Sequence, residues 1–87
     1  MDQPPRLQFP CEYPIKVMAR AGPELRARLD EVIARHAGLE ALQQVSERPS
    51  AQAHYVGVTY VISALSAAQI AAIFDDLKIL PDVLLVI

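Results

Sequence analysis

Between Tyr13 and Ala21 the chain alternates, with Ile15, Val17 and Ala19 on one side and Lys16, Met18 and Arg20 on the other. A period of two predicts a strand covered on one face only. Gly22-Pro23-Glu24 then reads as a helix start, with Pro23 expected at the first helical position and Glu24 in the positive first turn. Leu25, Leu29, Val32, Ile33 and His36 recur at helical spacing and predict one buried stripe. Arg26, Arg28, Asp30, Glu31 and Arg35 are expected to face outward, and Gly38 to close the helix.

The segment LEALQQVSERPS is rich in helix formers, yet Pro49 and Ser50 end it abruptly, and the stretch that follows is β-branched and aromatic. Leu42 to Arg48 is therefore read as a second strand in a hairpin with a third, Tyr55 to Ala64. In the third strand Val58, Tyr60, Ile62 and Ala64 share the apolar face, and Gly57, Thr59, Val61 and Ser63 the mixed one. Ser66 and Gln69 have capping-box spacing, in which each side chain satisfies an orphan backbone donor at the other's end. Ile70, Ile73, Phe74 and Leu77 give the second helix its stripe, and Pro81-Asp82 separates it from a last strand, VLLVI.

The order strand, helix, strand, strand, helix, strand predicts an α+β, ferredoxin-like βαββαβ sandwich. Its four-stranded antiparallel sheet carries both helices on one face and leaves the other open. Residues 1–10, with three prolines and no periodicity, read as an extended N-terminal arm anchored by Leu7 and Phe9; residues 11–87 form the single domain. The open face is expected to carry Lys16, Met18 and Arg20 from the first strand and Thr59, Val61 and Ser63 from the third. These six are the candidate interaction surface.

Composition narrows the function classes. With 87 residues, the chain has room for one core, and any pocket is expected to be shallow or shared with a second subunit. A net charge of −2 without a run of Lys or Arg argues against nucleic acid. The candidate open positions also lack the aromatics on which RNA-recognition modules stack bases. One cysteine, Cys11, excludes an internal disulfide; with no signal peptide in view, a cytoplasmic location is expected. The longest apolar run is far below the roughly 20 residues that span a bilayer. No cofactor is expected.

Candidate chemistry is sparse. His36 and His54 have no Cys, Asp or Glu at ligand spacing, so no metal site is expected. Adjacent Asp75 and Asp76 point about 100° apart on a helix, cannot act as a dyad and read as a solvated face. Ser66 reads as a cap, and no Gly-rich phosphate loop is present. A helix N-terminus beside a basic side chain makes Arg20 and Gly22 the candidate ligand-binding residues.

With the elements placed, Phe9-Pro10, Tyr13 to Met18, and Arg48-Pro49-Ser50 with Tyr55 behind it resemble the YbeD-like family of small bacterial proteins. The resemblance runs from about Phe9 to Ile87 and implies a ferredoxin-like fold similar to ACT domains. It implies no catalytic residues. Some members carry a regulatory label tied to lipoate metabolism. Members commonly have Gly where this chain has Ala19 and Ala53, which implies positive φ or a close backbone approach at those places.

Two functions follow as expectations. The first is a non-enzymatic regulatory or protein-interaction module, presenting its sheet face or edge to a protein partner or to its own copy. The alternative is an oligomeric sensing domain for an amino acid or acidic metabolite near Arg20 and Gly22.

Overall fold

The computed structural model describes residues 8–87. β1 (Cys11–Arg20) leads to α1 (Leu25–Ala37), a short 3-10 turn at Leu39–Ala41, β2 (Leu42–Pro49), β3 (Tyr55–Ala64), α2 (Ala67–Lys78) and β4 (Val83–Val86). The strands form one antiparallel sheet in the order β2-β3-β1-β4. This is the expected ferredoxin-like arrangement, and both helices seal the same face.

Alternation decides which side chains meet the helices. Ile15, Val17 and Ala19 of β1 and Val56, Val58, Tyr60, Ile62 and Ala64 of β3 are all buried. They pack with Leu25, Leu29, Val32 and Ile33 of α1 and with Ile70, Ile73 and Leu77 of α2. No polar or charged residue among those described is fully buried, so the core is apolar apart from the Tyr60 hydroxyl. Of the expected arm, residues 1–7, with Leu7, lie outside the described residues. Phe9 packs against the core, and the Phe9-Pro10 peptide is cis.

Pro14 sits inside β1, where a central strand would not tolerate a missing N–H. Lys16 exchanges both backbone hydrogen bonds with Ile87, at 2.8 and 2.9 Å, and Arg20 N–H donates to the Asp82 carbonyl at 2.8 Å. Even-numbered β1 residues thus turn their backbones toward β4. Among the described residues none pairs with Pro14 on that side, so its missing N–H breaks no ladder bond there.

Several local expectations are corrected. α1 begins at Leu25, so Pro23 lies two residues before the helix, in the turn. Glu24 occupies the cap position without a side-chain capping bond, and its carboxylate instead accepts from Arg28 at 2.9 Å. Ser66 Oγ does accept from Gln69 N–H at 3.0 Å, but the Gln69 side chain reaches past Ser66 to accept from Leu65 N–H at 2.8 Å. Its amide then donates to the His36 carbonyl at 3.1 Å, so one residue both caps α2 and ties it to the end of α1.

Ala53 has φ +58°, and Ala19 is fully buried against the helices without such a φ. A glycine at 53 would therefore relieve a backbone cost, since an L side chain in the left-handed region costs about 1–2 kcal/mol. Offset by the extra freedom glycine gains in the unfolded chain, Ala53→Gly is expected to raise stability by about 0.5–1 kcal/mol, measured by urea denaturation.

Candidate functional site

The register places the whole open face. One row across the sheet runs Arg48, Gly57, Met18, Leu85; the next runs Ser46, Thr59, Lys16, with Ile87 alongside. Two residues the other way along β3, Tyr55 stands opposite Arg20. All six expected surface residues, Lys16, Met18, Arg20, Thr59, Val61 and Ser63, are on this face, away from the helices.

The sequence reading missed the apolar weight of the surface. Met18, Tyr55, Leu85 and Ile87 are 42–58% exposed and lie on one side of the sheet. Tyr55 corrects the expectation of a face without aromatics. Continuing the β3 alternation back from Gly57 would have located it. It stands at the end of β3 rather than on the middle rows where base-stacking platforms need their rings.

Gly57 makes the centre of this surface concave. A Cβ there would lie 3.2 Å from Met18 Sδ, so the thioether lies over the glycine. A shallow hollow of about 240 Å³ forms beside it, lined by Met18, Arg48, Pro49, Ser50, Tyr55, Val56 and Gly57. Ser50 fixes the adjoining turn: its N–H donates to the Tyr55 carbonyl at 2.8 Å, and its hydroxyl accepts from Tyr55 N–H at 3.2 Å. The volume is below the roughly 300–1,000 Å³ of small-molecule pockets, so the hollow suits one side chain rather than a whole metabolite.

Charge is sorted by face. Lys16, Arg20 and Arg48 lie on the open side and make no ion pair among the described residues, and Glu12 is the one carboxylate there. Every other described carboxylate, from Glu24 to Asp82, lies on the helices, in turns or on the helix-facing side of β2. The cations on the helix side are engaged: Arg26, Arg28 and Arg35 in ion pairs, and Lys78 over the Phe74 ring at 5.9 Å. A chain of net charge −2 thus presents a basic sheet face.

The remaining titratable groups pair with one another. Arg26 and Asp30, expected to face outward, are half-buried at the edge of α1. The Tyr60 hydroxyl donates to Asp30 Oδ1 at 2.6 Å, Arg26 Nε donates to the same oxygen at 2.8 Å, and Arg26 Nη1 donates to Glu47 Oε2 at 3.1 Å. Burial, and after it the bond to Asp30, pushes the Tyr60 phenol well above its ordinary range. The bond to Asp30 likewise raises Arg26. Asp76, read as a solvated residue, is half-buried and lies 2.6 Å from His36 Nε2 and 3.4 Å from Arg35, binding the ends of α1 and α2 together. Sequence spacing hid this pairing because His36 and Asp76 are 40 residues apart. No cluster with metal-ligating composition occurs among the described residues.

The candidate ligand residues separate. Arg20 belongs to the open face, whereas Gly22 lies in the turn before α1, beside a hollow lined by Leu25, Arg26, Glu47 and Ala53. The start of α1 already holds the Glu24 carboxylate, which weakens its attraction for an anion. Among the described residues, no helix is long and apolar enough to cross a membrane.

Comparison with known proteins gives consistent matches. The model of a family described as a protein of unknown function, DUF493, matches residues 4–87. A UPF0250 protein of Pseudomonas aeruginosa is 38% identical over 77 residues, covering 87% of this chain and 83% of its own. One from Vibrio cholerae is 41% identical over 71 residues, covering 82% of this chain and 75% of its own. In structure, the chain is similar to protein HP0495 of H. pylori, with a TM-score of 0.75 at 14% identity over 98% of this chain and 89% of that one. It is also similar to the uncharacterized protein TM1266 of Thermotoga maritima, with a TM-score of 0.68 at 12% identity over 87% and 92%.

Proposed function

This chain belongs to the DUF493 family, the small bacterial proteins anticipated from its YbeD-like motifs, and from that premise we propose that it is a non-enzymatic regulatory module that binds a protein partner through its open sheet face. The observation that carries this reading is the uncovered side of the sheet, where Met18, Tyr55, Leu85 and Ile87 surround the hollow at Gly57. Apolar groups gathered on one surface gain about 25 cal/mol for each Å² they bury, before association costs are subtracted.

Two further features favour the face over the β2 edge and over catalysis. β2, the outer strand on one side, is bulged between Leu42 and Gln44, turns Glu47 inward and ends in Pro49, all devices that discourage strand addition. The clustered titratable groups, Asp30 with Tyr60 and Arg26, and Asp76 with His36, are paired with one another. Under this reading, a connection to lipoate metabolism runs through the partner.

Met18→Asp is expected to abolish partner retention while changing stability by no more than about 1 kcal/mol, since the site is exposed. The test is quantitative affinity capture from native bacterial extract on wild type, Met18→Asp and the helix-face variant Glu31→Arg. Proteins held by wild type and Glu31→Arg should be lost from Met18→Asp; equal retention on all three would sink the sheet-face reading.

A further inference from the structure

Resting on the sheet-face reading, we propose that the partner presents an extended acidic segment, with one large apolar side chain seated in the Gly57 hollow and carboxylates on either side meeting Arg48 and Arg20.

Geometry and charge carry this together. Arg48, Gly57 and Met18 occupy adjacent strands in one row, so with strands about 4.8 Å apart Arg48 and Met18 stand about 10 Å apart across the hollow. Arg20 lies two residues further along β1 from Met18, about 7 Å, opposite Tyr55. The hollow is thus walled by Met18 and Tyr55 with Arg48 in its lining, and Arg20 stands just outside it, opposite Tyr55. An apolar residue with acidic neighbours matches that layout. Arginine suits it because its planar fork takes a carboxylate in two parallel hydrogen bonds.

Charge also separates this occupant from the others. A twofold pairing of two copies through the same face would bring Lys16, Arg20 and Arg48 of each together with a single carboxylate from each, Glu12, among the described residues, leaving an excess of positive charge in the interface. A nucleic acid would leave Met18, Leu85 and Ile87 without partners and find one aromatic at the margin of the sheet. Small metabolites are mismatched to a hollow of about 240 Å³ that is open to solvent. A protein segment alone supplies both an apolar anchor and flanking carboxylates.

The experiment selects a displayed library of random twelve-residue peptides on the immobilised full chain, with counter-selection on Met18→Asp. Synthetic copies of the enriched peptides are then titrated against wild type, Met18→Asp and the double variant Arg20→Glu/Arg48→Glu. The expected result is enrichment of sequences with an apolar residue flanked by Asp or Glu. Their binding should weaken about tenfold or more in the double variant and fall as salt shortens the range of the charges. Peptides in which the acids are exchanged for Lys should regain binding to the double variant. Enriched peptides that need Met18 but are neutral or basic, or that bind the double variant as well as wild type, would overturn the acidic partner and leave the sheet-face reading standing. Enrichment indifferent to Met18→Asp, or no enrichment, would overturn both. A face-to-face dimer in sedimentation, abolished by Met18→Asp, or an oligonucleotide competing with every peptide, would assign the surface to another occupant and overturn the proposal.

Discussion

Ile62→Ala is expected to cost about 2–5 kcal/mol, whereas Val61→Ala, one residue away on the same strand, should stay within about 0.5 kcal/mol. The first side chain is fully buried between the sheet and the helices; the second points to the open face. At about 0.05–0.15 kcal/mol per residue, an 87-residue domain holds roughly 4–13 kcal/mol in total, so the first change removes a large share. With about 4–8 °C of Tm per kcal/mol at this size, the two variants should separate by about 6 °C or more in a thermal melt. Similar Tm values for the two would mean that β3 is not covered on one side only.

The second large effect concerns Tyr60 and Asp30. Tyr60→Phe removes a charge-assisted hydrogen bond to a half-exposed carboxylate, expected to cost about 1–2 kcal/mol at neutral pH. Asp30→Ala should cost more, about 2–3 kcal/mol, because it strands a buried hydroxyl and releases Arg26. In the Tyr60→Phe background the loss of Asp30 should cost at least about 1 kcal/mol less, a coupling read by a double-mutant cycle in urea.

The same hydroxyl sets an alkaline limit. Its folded-state pKa lies above the ordinary tyrosine value of 10.0, chiefly through burial. The stability it contributes is therefore complete below pH 10 and declines above it, as the unfolded phenol ionises while the folded one holds its proton. The decline is about 1.4 kcal/mol for each pH unit. The gap between wild type and Tyr60→Phe should accordingly narrow as the pH rises above 10, and a gap independent of pH would contradict the assignment.

The two faces of the sheet were legible because alternation at Ile15 to Arg20 and at Val56 to Ala64 is strict, and one residue's error would have turned every side chain over. What escaped depended on contacts between distant positions. Nothing in the spacing of Arg26 and Asp30 distinguishes them from other polar residues of α1; they are half-buried because Tyr60, 30 residues beyond Asp30, brings its hydroxyl to the helix edge. Asp76 likewise takes its role from His36, across the pair of helices. The start of α1 was misplaced because proline suits the turn before a helix as well as its first position. Arg48 and Leu85 joined the surface only once register set them beside Gly57 and Met18.

The outer edge at β2 carries a bulge, a carboxylate on the helix-facing side and a closing proline. With backbone pairing discouraged there, a partner bound as proposed would be selected by the side chains of the open face. Met18, Arg20, Arg48 and Tyr55 all project away from the buried core, so each can be exchanged without unsettling the scaffold. If the face binds as proposed, a change of partner would require new side chains at these positions and no change of architecture.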